Sequence, residues 1–252
     1  MKSFLTTAVS YTLLIGFLLT SSCKKTTGPY DLGGSGDVEL TTPGNDFPVS
    51  VNVGGNYDPR LSNLQDTTII VKRENGIVTF KAVYHFDTAF VYALDTMMGT
   101  YLFPIEQKKE AMSRYLKRFG ATLDSTNKND IVVKGEFKAK ITSEGIAEYF
   151  SSNGDVSRPR TIVKYGWNVG DGFSFKTDDG LTVNRKTIQK STDDDYPLAF
   201  WLIKTIQVEE TSDDPLVEKM IYIANHKFGL VGIKIILRNG KEAKIGIFPP
   251  NL

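Results

Sequence analysis

The chain has 252 residues, of which 40% are hydrophobic, 23% charged and 11% aromatic, a balance that excludes a disordered or collagen-like polymer and supplies enough apolar material for a core. Lys and Arg number 30 against 29 Asp and Glu, a net charge of +1, and no basic block disturbs that balance, which argues against nucleic acid as a partner. The single cysteine excludes an intrachain disulfide framework and a cysteine-based zinc cage, because each needs a second thiol.

The chain opens Met1-Lys2, runs without charge from Phe4 to Leu19, and closes on Thr20-Ser21-Ser22-Cys23. A basic start, a short apolar stretch and small residues before a break are the layout of an export signal. Thr6, Thr7, Ser10 and Thr12 interrupt the stretch. A helix that crosses a bilayer needs roughly 20 mostly apolar residues, so a cleaved signal over 1–22 is expected rather than a permanent transmembrane anchor.

The run Leu19-Thr20-Ser21-Ser22-Cys23-Lys24-Lys25 resembles the lipobox of bacterial lipoproteins. The resemblance implies that the signal is cut immediately before Cys23, that a diacylglycerol is attached to its thiol, and that the new amino group is acylated with a fatty acid such as palmitate. The Ser-Cys-Lys-Lys ending is similar to those of Bacteroidota lipoproteins. Lys24 stands where an Asp would tend to retain a lipoprotein in the inner membrane, so the resemblance implies the outer membrane, facing the periplasm or the surface. One acyl chain holds a protein only marginally on a bilayer and two or more hold it stably. Removal of Lys2 with the signal leaves 29 basic and 29 acidic groups, so the anchor rests on acyl chains and not on charge. The alternative is a signal cut elsewhere, with Cys23 left as a free thiol.

Residues 23–46 are dominated by Gly, Thr, Pro, Asp and Ser, a composition that buries too little apolar surface to offset its ordering entropy and reads as a flexible tether. The folded part is expected over 47–252 as one mostly β domain, with the polar stretch 121–130 as the place where a subdivision would fall. Residues 67–72 and 77–86 read as strands. In the second, Val78, Phe80, Ala82, Tyr84 and Phe86 alternate with a mixed set, and Asn75-Gly76 between the strands favours a two-residue hairpin turn. Over 104–119, Met112, Tyr115, Leu116 and Phe119 recur at helical spacing, with Pro104 near the first turn and Gly120 beyond the end, which predicts an amphipathic helix. Its basic face of Lys108, Lys109, Arg114, Lys117 and Arg118 reads as a solvated face, with contact to anionic headgroups as the alternative.

The clearest alternation lies in 132–141, where Val133, Phe137, Ala139 and Ile141 oppose Lys134, Glu136, Lys138 and Lys140. Further strands are expected at 161–167, 173–176, 181–188, 198–208, 217–224, 230–237 and 241–248, joined by connections too short for parallel crossovers and therefore mostly antiparallel. The run Leu198-Ala199-Phe200-Trp201-Leu202-Ile203 is apolar on both faces and reads as a central strand. The expected fold is thus an antiparallel sheet, closed as a sandwich or a half-open barrel, with one helix packed against it. The half-open form resembles periplasmic lipoprotein-carrier domains in architecture, which implies an apolar groove.

Sites are sparse. The sequence holds no nucleophile elbow, no His-Glu-x-x-His, no P-loop and no dinucleotide fingerprint. His85 reads as a solvated strand residue and His226 as a turn residue. Asp193, Asp194 and Asp195 are the weak candidates for a hard cation such as calcium, which wants grouped carboxylates, but Asp also favours turns. Tyr196, Phe200, Trp201, Trp167, Phe173 and Phe175 could line a sugar or lipid groove, though packing explains the strand pairs among them more simply. No cofactor is implied. The expected function is a lipid-anchored envelope protein with a non-enzymatic binding or structural role toward a lipid, a glycan or an envelope protein. The alternative is a hydrolase that uses carboxylates or a divalent cation in the Asp-rich loops.

Overall fold

The computed structural model describes residues 32–53, 67–86, 96, 99, 105–118, 120–127 and 130–250. The signal segment, Cys23, Pro104 and Phe119 lie outside the described residues, as do the side chains of Lys108 and Arg118. The elements in chain order are β1 (Asp46–Val53), β2 (Thr67–Glu74), β3 (Ile77–Phe86), α1 (Ile105–Arg118), β4 (Ala121–Asp124), β5 (Ile131–Thr142), β6 (Gly145–Glu148), β7 (Arg160–Lys164), β8 (Gly172–Lys176), β9 (Thr182–Lys190), β10 (Tyr196–Leu198), β11 (Trp201–Ile203), β12 (Ile206–Ser212), β13 (Val217–Asn225), β14 (Gly229–Leu237) and β15 (Glu242–Ile247).

All but β10 and β11 join one antiparallel sheet in the order β7-β6-β5-β3-β2-β1-β15-β14-β13-β12-β9-β8, with β4 also on β5. The hairpin between β2 and β3 turns on Asn75 and Gly76, both with positive φ (52° and 77°), as the two-residue loop requires. Within the stretch 121–130, residues 121–124 form β4 and pair with β5.

A path of this many twisted strands cannot lie flat, and β1 is where it folds over. Asp46, Phe47 and Pro48 pair with β2, whereas Val49 to Val53 pair with β15. Pro48 has no N–H to give a continuous ladder, so it suits the point of exchange, and its carbonyl accepts from the Phe248 N–H at 2.9 Å. Register shifts in β2, β9, β12 and β13 pairings add the bends that bulges produce. The halves of the sheet close on a shared interior in which Phe47, Ile70, Val78, Phe80, Ala139, Ile141, Ile146, Ile162 and Val163 of one meet Ile206, Val208, Tyr222 and Ala224 of the other. The result is a rolled sheet whose path ends at β7 and β8 without closing into a barrel, and among the described residues this cluster of side chains packs between its halves.

Helix α1 stops at Gly120, whose φ of 57° suits the left-handed position after a helix end. Its Tyr115 packs beside Val217, Leu237 and Ala243. Arg114, expected on a solvated face, is only 19% exposed and reaches Asp214 at 3.2 Å, so part of the basic face is turned inward to meet a buried acid.

Two expectations need correction. Residues 32–46 are packed rather than free: Leu32 and Thr41 are buried, residues 39–41 form a 3-10 turn, and the Ser143 N–H donates to the Ser35 carbonyl at 2.9 Å. The glycines that make this segment look like a linker allow the backbone to approach other backbone closely, as Gly36 does at Gly76. The run Leu198 to Ile203 is also not a central strand. It divides at Ala199, a non-glycine residue with φ of 50°, into the separate hairpin of β10 and β11, in which Leu198 pairs with Trp201.

Candidate functional site

The sheet's unclosed edge is held by a buried polar cluster. Strand β9 alternates, with Val183, Arg185 and Thr187 buried and their neighbours exposed or half-buried, so Arg185 points into the interior. Its guanidinium donates through Nε to Glu210 Oε2 at 2.7 Å and through Nη2 to Glu148 Oε1 at 2.9 Å. Through Nη1 it donates to the carbonyls of Arg160 and Thr161 at 3.1 and 2.9 Å. Those carbonyls lie on β7, so a side chain from β9 bonds the terminal strand where no ladder does. The guanidinium also lies over the rings of Phe175 and Tyr222, a favourable cation–π arrangement. The Tyr222 hydroxyl donates to Glu210 at 3.1 Å and the Ser151 N–H to Glu148 at 2.9 Å.

Burial works against the charge on Arg185, but Glu210 and Glu148 outweigh it and hold its pKa up. Burial raises the Glu148 carboxyl above its usual 4.5, with Arg185 and Ser151 opposing the rise. Burial likewise raises the Tyr222 phenol, reinforced by Glu210. Glu148 and Glu210 are a carboxylate pair that spacing in the sequence could not bring together. Their side chains are 1% and 5% exposed, so substrate has no access to them, and the trio acts as an internal clasp. At the surface of the same seam, Arg158 bonds Asp178 in a bidentate pair and Asp155 as well.

Other acidic and histidine side chains make local structural contacts or lie exposed in turns. Asp214 is buried and accepts from the Leu216 and Val217 N–H groups as well as from Arg114 and Tyr115. Asp213 accepts from the Thr182 N–H. His85 Nδ1 lies 2.8 Å from Asp130 Oδ1, and His226 is exposed in the turn between β13 and β14. Asp193, Asp194 and Asp195 are exposed in the connection from β9 to β10, where Asp193 accepts from Thr192 and Asp195 from Ser191. Among the described residues, no three His, Cys, Asp or Glu side chains converge as a metal site.

The aromatic set divides. Trp167, Phe173 and Phe175 form a packed series with centroid separations of 6.0 and 5.6 Å. The hairpin of β10 and β11 is different. Leu198 and Ile203 are buried against Val231 with Tyr196, Ile223, Phe228 and Phe248 around them. Ile223 alternates along β13 with Tyr222 and Ala224 of the interior, so the hairpin lies across the outer face of β13 and β14. Its other residues face away: Phe200 is 97% exposed, with Trp201 and Leu202 more than half exposed. Three consecutive large apolar side chains on a packed base form the candidate binding feature. Phe200 and Trp201 stood out in the sequence as possible groove residues, but the unbroken apolar run gave no sign of the turn at Ala199.

The sequence matches no protein-family profile and no curated protein. In structure the chain is similar to a crystal structure described as a "putative lipoprotein" from Parabacteroides distasonis ATCC 8503, with a TM-score of 0.38 and 10% identity over 82% of this chain and 94% of that one. Among the described residues no helix is long and apolar enough to cross a membrane.

Proposed function

We propose that the chain is a lipid-anchored protein of the bacterial outer membrane, attached through Cys23, whose rolled β domain serves as a non-enzymatic binding module. The anchor is supported by the position of the single cysteine directly behind the uncharged run from Phe4 to Leu19. The observation that carries the binding role is the contrast between two surfaces. The carboxylate pair Glu148 and Glu210 is sealed around Arg185, whereas Phe200, Trp201 and Leu202 are held out to solvent on a firmly packed hairpin. Exposed contiguous apolar side chains of this kind mark interaction surfaces.

Replacement of Cys23 by Ala tests the anchor. The variant is expected to take up no labelled fatty acid and to accumulate as an uncleaved precursor, whereas labelling that persists in it would refute the assignment. The binding role predicts that Phe200→Ser and Leu202→Ser leave the unfolding midpoint nearly unchanged, because these side chains gain little from folding.

A further inference from the structure

The exposed hairpin and the start of the described chain lie at one end of the rolled sheet. Starting from the N-terminal side, a Cβ on Gly33 would meet the Glu144 carboxylate, and Leu32 fills the space beside Gly145, so the chain enters at the turn between β5 and β6. The Glu144 carbonyl accepts from the Tyr165 N–H at 2.9 Å, and the Tyr165 and Trp167 carbonyls accept from Lys190 Nζ at 3.0 and 2.9 Å. Lys190 pairs with Ile206, and the Ser191 N–H donates to the Thr205 carbonyl at 2.8 Å, which brings the series to the base of the hairpin. A second route agrees with the first. Leu40 occupies the space that a Cβ on Gly229 would take, and the adjacent Phe228 is part of the hairpin's packing cluster. The opposite end of the sheet carries α1, docked on Asp214.

From this placement we infer that Phe200, Trp201 and Leu202 enter the interface of the same bilayer that holds the acyl anchor, giving the domain a second, non-covalent membrane contact and a fixed orientation. The inference rests on the proposed lipidation of Cys23. Covalent geometry supplies the reason for choosing a bilayer over other partners. Eight residues lie between Cys23 and the packed Leu32, and an extended chain spans at most about 3.3–3.6 Å per residue step, so the entry end of the domain stays within roughly 30 Å of the lipid surface. Segment 32–46 is docked on the sheet through Leu32, Thr41 and the Ser35 and Val38 carbonyls and adds no reach. The apolar side chains therefore sit on the end of the domain that a short leash holds toward the membrane. Their types suit the place: Trp is favoured at the headgroup level, and Phe and Leu partition into the acyl boundary.

The chain has two tryptophans, Trp167 in the packed series and Trp201 on the hairpin, which makes the test direct. The mature chain purified from membranes is reconstituted into phosphatidylethanolamine–phosphatidylcholine vesicles with and without brominated acyl chains. Trp167→Phe leaves Trp201 as the sole reporter, and Trp201→Phe leaves Trp167. The expected result is a blue shift and loss of most of the Trp201 emission in brominated vesicles, with Trp167 emission unchanged. Vesicle flotation after an alkaline wash reads the anchor separately. A chain that floats but whose Trp201 is unaffected by bromine overturns the inference alone. A chain that washes off overturns both the inference and the lipid anchor beneath it. A Trp201 blue shift that grows with protein density and ignores bromine assigns the hairpin to a second copy of the chain and also overturns the inference. Wild-type chain, carrying both reporters, must show the Trp201 component, so misfolding of either variant cannot mimic a positive result.

Discussion

Replacing Arg185 by Met keeps a long unbranched side chain but removes the charge and all four donated hydrogen bonds to Glu210, Glu148, Arg160 and Thr161. Glu148 keeps only the Ser151 N–H from this set and Glu210 only the Tyr222 hydroxyl, and both carboxylates stay buried. Breaking a buried charge pair from one side costs about 3–5 kcal/mol, because the remaining charge is uncompensated. Against a typical total of about 5–15 kcal/mol, the loss removes a large share of the domain's stability. Urea unfolding followed by tryptophan emission measures it. The pH dependence adds a second test. A carboxyl whose folded pKa lies above its unfolded value stabilises fully below the unfolded pKa and loses that contribution as pH rises through the folded one. The Glu148 pKa is already raised above 4.5 by burial, and removing Arg185 removes an opposing influence, so the deficit of Arg185→Met should grow from mild acid to neutral pH. Adding Glu148→Gln and Glu210→Gln should recover part of the loss at neutral pH. A cost below about 1 kcal/mol, the range of exposed pairs, or a deficit independent of pH would refute the role of Arg185 as the clasp of the sheet's open edge.

Three further outcomes follow from other sites. Asp214→Ala removes the carboxylate that accepts from the buried Leu216 and Val217 N–H groups and from Arg114 and Tyr115; it should cost about 3 kcal/mol and raise hydrogen exchange in α1 more than elsewhere. Gly145→Ala drives a Cβ into the Val163 carbonyl, so β6 and β7 must separate, at about 1–3 kcal/mol in thermal unfolding. Asp155 is held down to about 2 by the Ser157 hydroxyl, then by Arg158 and the Ser157 N–H. Its contribution is therefore present above 3.8 and lost as pH falls through about 2. Carboxyl NMR titration of Ser157→Ala should show the midpoint moved up toward 3.8.

What could be read in advance, and what could not, follows from the range of the forces involved. Asn75-Gly76, the alternation through β3 and β5, and the helix before Gly120 are local patterns, and each appears in the structure within a few residues of its expected limits. The Leu198 to Ile203 run misled because a continuous apolar stretch has no period to distinguish a buried strand from a hairpin with one exposed side. Segment 32–46 misled because glycine serves both flexible linkers and close backbone contact, and only the partners at Gly76 and Ser143 decide between them. The clasp joins residues 37 and 25 positions apart in sequence. A hint of it existed: Arg185 shares the inward register of Val183 and Thr187, and a charge on a buried face needs a partner.

Anchoring depends most on the chemistry at residue 23, and the intact mass of the native chain extracted from membranes tests it most directly. The predicted result is a polypeptide beginning at Cys23, heavier than its sequence by a diacylglyceryl group and one further fatty acyl chain, with all of the added mass on the N-terminal peptide. A chain that begins at any other residue, or a Cys23 of unmodified mass, would contradict it.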